Sequence, residues 1–312
     1  MALTYDNFDV PTSADKQRCH ERSWPLQWLL LFLFLIVGFI IIAAAYLFDL
    51  PDKAKTLLLL SLQNLIPFAA AAAMTALVAR SMTSRRTLAD TLYLNRAPSW
   101  RWVAVVAVAW LVMLPAMNAI VAWNESVSLP PSMKGLEETL RVSENAAQAI
   151  TQSLLNTSDP AIMLLLVLIV GVLTGFGEEM FFRAGMLRPM AEQRVNTHVA
   201  IWVVAFVFSA FHMQFFGFVP RMLLGAWLGY LMLWSRSLWV PILAHTLNNS
   251  AVVIATFLAN RHLIDADALD SIGTVKAGEF PWLATLSAVA TLAIAVAIAK
   301  KSKKIETTAN ND

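Results

Sequence analysis

The sequence predicts an all-α, polytopic membrane protein, a helical bundle of about eight transmembrane helices. Three observations predict it. Of 312 residues, 58% are hydrophobic and only 14% charged, against about 25% charged in ordinary soluble proteins. The apolar residues come in long blocks rather than at a steady period of 3.6 or 2.0. Lysine and arginine also collect in alternate connections between the blocks.

Residues 1–23 read as a polar cytoplasmic tail of mixed charge, with Asp6, Asp9, Asp15 and Glu21. The apolar block at 24–48 is too long for a signal-peptide core and lacks a small-residue cleavage site, so it reads as a retained first span. A span needs roughly 20 apolar residues to cross about 30 Å of hydrocarbon. The expected spans are 24–47, 57–79, 102–123, 160–182, 199–219, 221–234, 239–259 and 280–299. The sixth is short and borrows Arg221 as a snorkelling end residue. Backbone groups in lipid must be satisfied within the segment, so unbroken blocks of this length are helices. The membrane domain is thus 24–299, and 300–312 a basic, then disordered, cytoplasmic tail. Between spans three and four, Leu136, Leu140, Ala147, Ile150 and Leu154 recur at helical spacing, which predicts an amphipathic helix on the outer surface.

Eight spans place both termini on one side. With that side cytoplasmic, it holds Lys16, Arg18, Arg22, Arg80, Arg85, Arg86, Arg96, Arg101, Arg183, Arg188, Arg194, Arg236 and Lys300, Lys301, Lys303 and Lys304, which are sixteen of the 23 Lys and Arg residues. That follows the positive-inside rule. The net charge of +2 gives no reason to expect a nucleic-acid partner. The single cysteine, Cys19, cannot form an intramolecular disulfide.

An ionisable side chain deep in a bilayer costs a few kcal/mol and normally faces a cavity or a partner. Residues 160–177 carry no charge, and then Glu178, Glu179 and Arg183 arrive together. Span five holds His212; span seven holds His245 with Asn248 and Asn249. The other interruptions are few, chiefly Asn64 and Pro67 in span two. Glu179 and Arg183 are i,i+4 in the favourable order for an ion pair, which leaves Glu178 free for other work. His245 and Asn249 are also i,i+4 and share a face. Glu178 and His212 are equally distant from a turn near residue 195, so an antiparallel hairpin sets them at one level. The site is expected in the cytoplasmic half of the bilayer, open to cytoplasmic water.

Taken singly, each feature has a plainer explanation: a helix end at the interface, a buried histidine, or polar glue between helices. Taken together, two glutamates, an arginine, two histidines and an asparagine suit water activation and amide hydrolysis. A glutamate in a partly dry cavity can act as base, and imidazole and amide groups can donate to an oxyanion. No serine or cysteine is paired with them as a covalent nucleophile. Two histidines and a carboxylate, Glu178, His212 and His245, also make a common zinc ligand set, but no HExxH is present and the sequence does not demand the metal.

EEMFFR at 178–183 fits EExxxR, FSAFH at 208–212 fits FxxxH, and HTLNN at 245–249 fits HxxxN. In this order, on late spans, they resemble the CAAX-protease and bacteriocin-processing family of intramembrane proteases, whose type member is the Ras-converting CAAX endoprotease. The matched core covers 160–258. The resemblance implies a conical cavity open to the cytosol, a water activated by Glu178 with His212 assisting, and an oxyanion hole of His245 and Asn249. It implies that Arg183 braces the site through Glu179. The family is called a metalloprotease family, yet a metal-independent glutamate mechanism has also been argued for it, so zinc stays open.

The expected function is therefore an intramembrane endopeptidase acting on a membrane-associated or lipidated protein or peptide. A multi-pass protein of a bacterial inner membrane is expected. Two other classes stay open: a bacteriocin self-immunity or scaffold protein with little proteolysis, and an ion-coupled transporter. Transporters often carry internal repeats and interrupted helices, and neither is visible here.

Overall fold

The computed structural model describes residues 23–44, 51–79, 87–193, 195–276 and 278–309. The expected tail at 1–22, Cys19, Arg80, Arg85, Arg86, Arg194 and residues 310–312 lie outside them. The described residues form helices α1 (Trp24–Ala43), α2 (Ala54–Ala79), α3 (Leu88–Thr91), α4 (Trp100–Ser126), α5 (Lys134–Leu155), α6 (Pro160–Glu192), α7 (Thr197–Phe211), α8 (Phe218–Ser235), α9 (Trp239–Asn260), α10 (Ala266–Asp270) and α11 (Trp282–Ala309). No strand occurs among them. Among the described residues, seven helices are long and apolar enough to cross a membrane. The protein is an all-α, multi-pass helical bundle.

The boundaries follow local chemistry. Asp159 caps α6, its carboxylate accepting from the Ala161 amide at 2.8 Å, and Pro160 occupies the first turn where no amide is needed. Asn196 caps α7 by accepting from His198 and Val199. Thr87 and Asp90 form a reciprocal capping box on α3.

Two boundaries differ from expectation. The fifth span ends at Phe211 rather than 219, because Met213 adopts a left-handed conformation (φ 54°) and turns the chain. Its 15 residues reach about 22 Å, short of a bilayer core. The freed residues lengthen the sixth span, which spans 21 residues from Phe215 to Ser235. At the other end, α11 continues through the basic run to Ala309, so the expected disordered tail is helical through that residue.

Three stretches wind more widely than an α-helix: Asn64–Ala70 in α2, and Val167–Leu173 and Met180–Leu187 in α6. In α2 the cause is Pro67, which has no N–H to complete a regular ladder. The two in α6 bracket the Thr174–Glu179 stretch.

Helix α6 forms the axis of the bundle. Its Gly171 and Gly175 let α9 approach, since a Cβ at either would meet Ser250 or Thr246. Beyond Glu179 it is encased: residues 180–191 are all buried. Phe181, Phe182, Met186 and Leu187 lock against Leu31 of α1, Phe68 of α2 and Phe208 of α7. Arg188, also buried, donates to Gln27 at 3.0 Å and pairs with Glu192 at 2.7 Å, and Tyr93 donates to Glu192 at 3.1 Å. Arg183 and Arg188 are therefore interior groups rather than loop charges.

The α2–α4, α6–α7 and α8–α9 connections share one face of the bundle with the end of α11. Its exposed cations include Arg96, Lys300 and Lys301, and this is called the basic face below. On the opposite face lies α5, an amphipathic helix as expected, with Leu136, Val142 and Ile150 exposed. It is anchored to the α7–α8 turn. Buried Glu144 accepts from the Phe216 amide at 3.0 Å, and the Arg141 guanidinium lies 3.8 Å over the Phe216 ring. Asn124, at the end of α4, accepts from the Val219 amide at 2.8 Å.

Candidate active site

The site begins with the packing that fixes α6 against α2. Thr174 donates to the Ile169 carbonyl five residues back, a bond the wide turn makes available, and accepts from Asn64 Nδ2 at 3.0 Å. Gly177 faces the Asn64 carbonyl so closely that a Cβ there would overlap it. The carboxylates of the next two residues are delivered from this fixed point.

Glu179 is fully buried, and its Oε1 takes two bonds: Arg183 Nη1 at 2.7 Å and His245 Nδ1 at 2.8 Å. Arg183 reaches on to the Gly225 carbonyl of α8 at 2.8 Å and lies 4.9 Å over the Phe208 ring. This ties α6, α8, α9 and α7 together through one guanidinium. The carboxylate accepts from Nδ1, so the proton sits there and the other imidazole nitrogen, Nε2, points to Glu178. The separation from Glu178 Oε2 is 3.8 Å. That oxygen is buried and hydrogen-bonded to no described residue, as are Glu179 Oε2 and Arg183 Nε. Buried polar atoms are normally satisfied, so three orphans in one cluster mark a place built to receive a polar group.

Glu178, Glu179, Arg183 and His245 are thus brought together. Asn249 stands one turn along α9 from His245. It spends one N–H on the Val170 carbonyl of α6 at 3.2 Å, and its Oδ1 accepts from Asn248 at 3.3 Å. His212 is less closely joined. It caps α7 and is exposed, its Nδ1 donates to the Phe208 carbonyl at 2.9 Å, and neither glutamate bonds it. The Phe208 ring packs edge-on against both histidines, its centroid 5.1 Å from that of His212 and 6.0 Å from that of His245.

Among the described residues no three His, Cys, Asp or Glu side chains gather as the ligands of a metal ion would. His212 is bonded by neither glutamate, so the donor set Glu178, His212 and His245 is not gathered as a zinc site in this arrangement.

Sequence reasoning missed several participants. Asn64 showed itself only as an interruption of an apolar block, and Trp110, whose indole N–H donates to Asn248 Oδ1 at 3.4 Å, resembled an ordinary membrane aromatic. The Gly225 carbonyl carries no sequence signal at all.

Residues 160–251 match the family model described as type II CAAX prenyl endopeptidase Rce1-like. This is the family that the three motifs resemble, and the matched segment contains all three. It covers less than a third of the chain. No curated protein and no solved structure matches. The match supports a CAAX-type intramembrane protease in general terms.

Proposed function

We propose that this protein is an intramembrane endopeptidase that hydrolyses a peptide bond of a membrane-associated or lipidated substrate with a water activated by Glu178. The observation that carries the proposal is Glu178 Oε2, buried, without a hydrogen bond to any described residue and 3.8 Å from the Nε2 of an imidazole held by Glu179. Glu178 takes a proton from water as the hydroxide adds to the peptide carbonyl. Glu179 accepts the Nδ1–H of His245 and aims the ring at the site, as the buried aspartate orients the histidine in a serine-protease triad; doubly protonated, the ring donates Nε2–H to the developing oxyanion. Asn249 supplies its second N–H. As the C–N bond breaks, Glu178 returns the proton to the leaving amine. His212, with Nδ1–H held by Phe208, presents Nε2 as an acceptor at the mouth of the site and assists water and proton transfer.

The test is Glu178→Gln, purified and reconstituted with a quenched-fluorescent peptide library. It keeps shape and removes the base, so hydrolysis should fall by roughly 10²–10⁴ with an unchanged melting temperature. Undiminished hydrolysis would leave the scaffold and transporter readings standing instead.

A further inference from the structure

We propose that a cleft between α4, α8 and α11 on the basic face binds the phosphate-bearing headgroup of an anionic lipid. The inference does not use the endopeptidase reading, and the cleft shares no residue with the candidate active site.

The cleft has a volume of about 400 Å³, within the range of about 300–1,000 Å³ that small ligands fill. Four cations line it: Arg96 just before α4, Arg101 in its first turn, Arg236 in the α8–α9 turn and Lys301 on α11. Ser99, Ser235 and Ser302 add hydroxyls, and no carboxylate is among the described residues that line it. Like charges collected in one concavity raise its positive potential, which an anion relieves.

The start of α4 sharpens the imbalance. A helix N-terminus carries the positive end of the macrodipole and favours an acidic side chain or a bound anion. Helix α4 has no acidic residue in its first turn, the Ser99 side chain makes no capping hydrogen bond, and Arg101 stands there instead. Arg236 makes a similar point through the backbone. It ends α8 in a left-handed conformation (φ 52°), which glycine adopts without steric cost and a residue with a Cβ does not. An arginine is kept where the backbone alone suits glycine.

The cations are held in fixed relation. The Ser237 hydroxyl donates to the Arg96 carbonyl, the Leu238 amide to the Tyr93 carbonyl at 2.9 Å, and the Trp239 indole to the Leu94 carbonyl at 2.8 Å. These bonds tie the α8–α9 turn to the segment that carries Arg96. The Ser302 hydroxyl donates to the Trp234 carbonyl at 3.3 Å and ties α11 to the end of α8. Arg96 and Arg236 also interact elsewhere in the protein; a guanidinium has five N–H donors and can hold a neighbour and a ligand together.

Place selects a lipid over a soluble anion. Trp102 and Trp234 line the cleft with Val105 and Ile298, and indoles of membrane proteins gather at headgroup level. Further along the same helices, Val108 and Leu111 of α4 and Leu292 and Val296 of α11 are exposed for acyl chains. A basic pocket between membrane helices at that level suits an anionic headgroup.

The test uses the full-length protein in an uncharged detergent, titrated with dansyl-labelled phosphatidylglycerol and read by energy transfer from tryptophan. Binding should saturate, weaken at high salt, and yield to unlabelled phosphatidylglycerol but not to phosphatidylcholine. Arg101→Gln, Arg236→Gly and Lys301→Gln should each weaken it by about fivefold, and the three together by about a hundredfold. Lys276→Gln, in the α9–α11 connection on the opposite face, should leave it unchanged. Arg236→Gly suits the backbone at that position, so it carries the test should the triple variant unfold. Undiminished affinity in Arg236→Gly, an equal loss in Lys276→Gln, or equal displacement by phosphatidylcholine would overturn the proposal. Displacement by glycerol phosphate at the lipid's own concentration would assign the cleft to a soluble phosphate and overturn the lipid.

Discussion

Glu179, rather than Glu178, holds His245: its Oε1 lies 2.8 Å from the imidazole Nδ1 and 2.7 Å from Arg183 Nη1. One carboxylate oxygen therefore sets both the tautomer of a histidine and the position of an arginine that reaches a third helix. Removing Arg183 leaves Glu179 buried with a single partner. Breaking a buried pair in this way costs about 3–5 kcal/mol, so Arg183→Ala should melt well below the wild type and lose hydrolysis with it. Arg183→Lys should lose less stability, since charge is kept while the fork that reaches Gly225 is lost. Thermal unfolding in detergent, followed beside peptide hydrolysis, checks both. An Arg183→Ala protein with wild-type melting and wild-type rate would remove the residue from the site.

Gly177→Ala places a methyl group against the Asn64 carbonyl, a backbone atom that cannot swing away. Overpacking of this kind costs about 1–3 kcal/mol, so the melting temperature should fall. Hydrolysis should fall further than stability alone explains, because α6 must shift at the residue before Glu178. Unchanged melting would show that α2 yields freely there.

Metal removal should leave the enzyme working. Among the described residues the three candidate ligands do not gather into a metal-binding group. Dialysis against a strong chelator, followed by hydrolysis and metal analysis, tests this. Activity lost to the chelator and restored by zinc would show that Glu178, His212 and His245 rearrange into a ligand set.

The acid sensitivity of the contact between α5 and the chain that precedes it has a defined sign. The Leu129 amide, 2.8 Å from Glu137 Oε2, and then the Arg141 side chain hold the Glu137 carboxyl below its ordinary value of 4.5. A depressed folded pKa contributes stability that is present above 4.5 and is lost as pH falls through the folded value. Hydrogen exchange at Leu129, corrected for intrinsic rate, should lose protection as pH drops below 4.5. Glu137→Gln should remove that dependence. Protection that is flat through the acid range in the wild type would show that the Glu137–Leu129 bond does not carry it.

The fold class was legible in the sequence, and so were the polar side chains that gather in the bundle, because charge inside an apolar block is costly and therefore conspicuous. Glu178, Glu179, Arg183 and His245 stood out on that ground, and the i,i+4 ion pair of Glu179 with Arg183 is observed. The partner of His245 was not legible, since neighbouring carboxylates in one helix differ only in direction. Equal spacing about residue 195 set His212 level with Glu178, whereas the left-handed turn at Met213 ends α7 at that histidine and leaves it exposed. Which helix faces form the core was hidden for a further reason. Helices apolar on every side carry no stripe from which an inward direction can be read.

The wide turns of α6 decide that direction. A turn closed by i→i+5 bonds holds about one residue more than an α-turn, and each residue rotates the helix by about 100°. Val167–Leu173 and Met180–Leu187 therefore set three segments of one helix out of phase with one another. A helical wheel drawn through residues 160–192 would scatter side chains that in fact point the same way. The effect of a deletion then depends on where it falls. Losing a single residue within Val167–Leu173 would let a plain α-helix form and leave Glu178 and Glu179 in phase with His245. Losing one from the regular Thr174–Glu179 stretch ahead of them would swing them about a quarter turn away, with every side chain of the site still present.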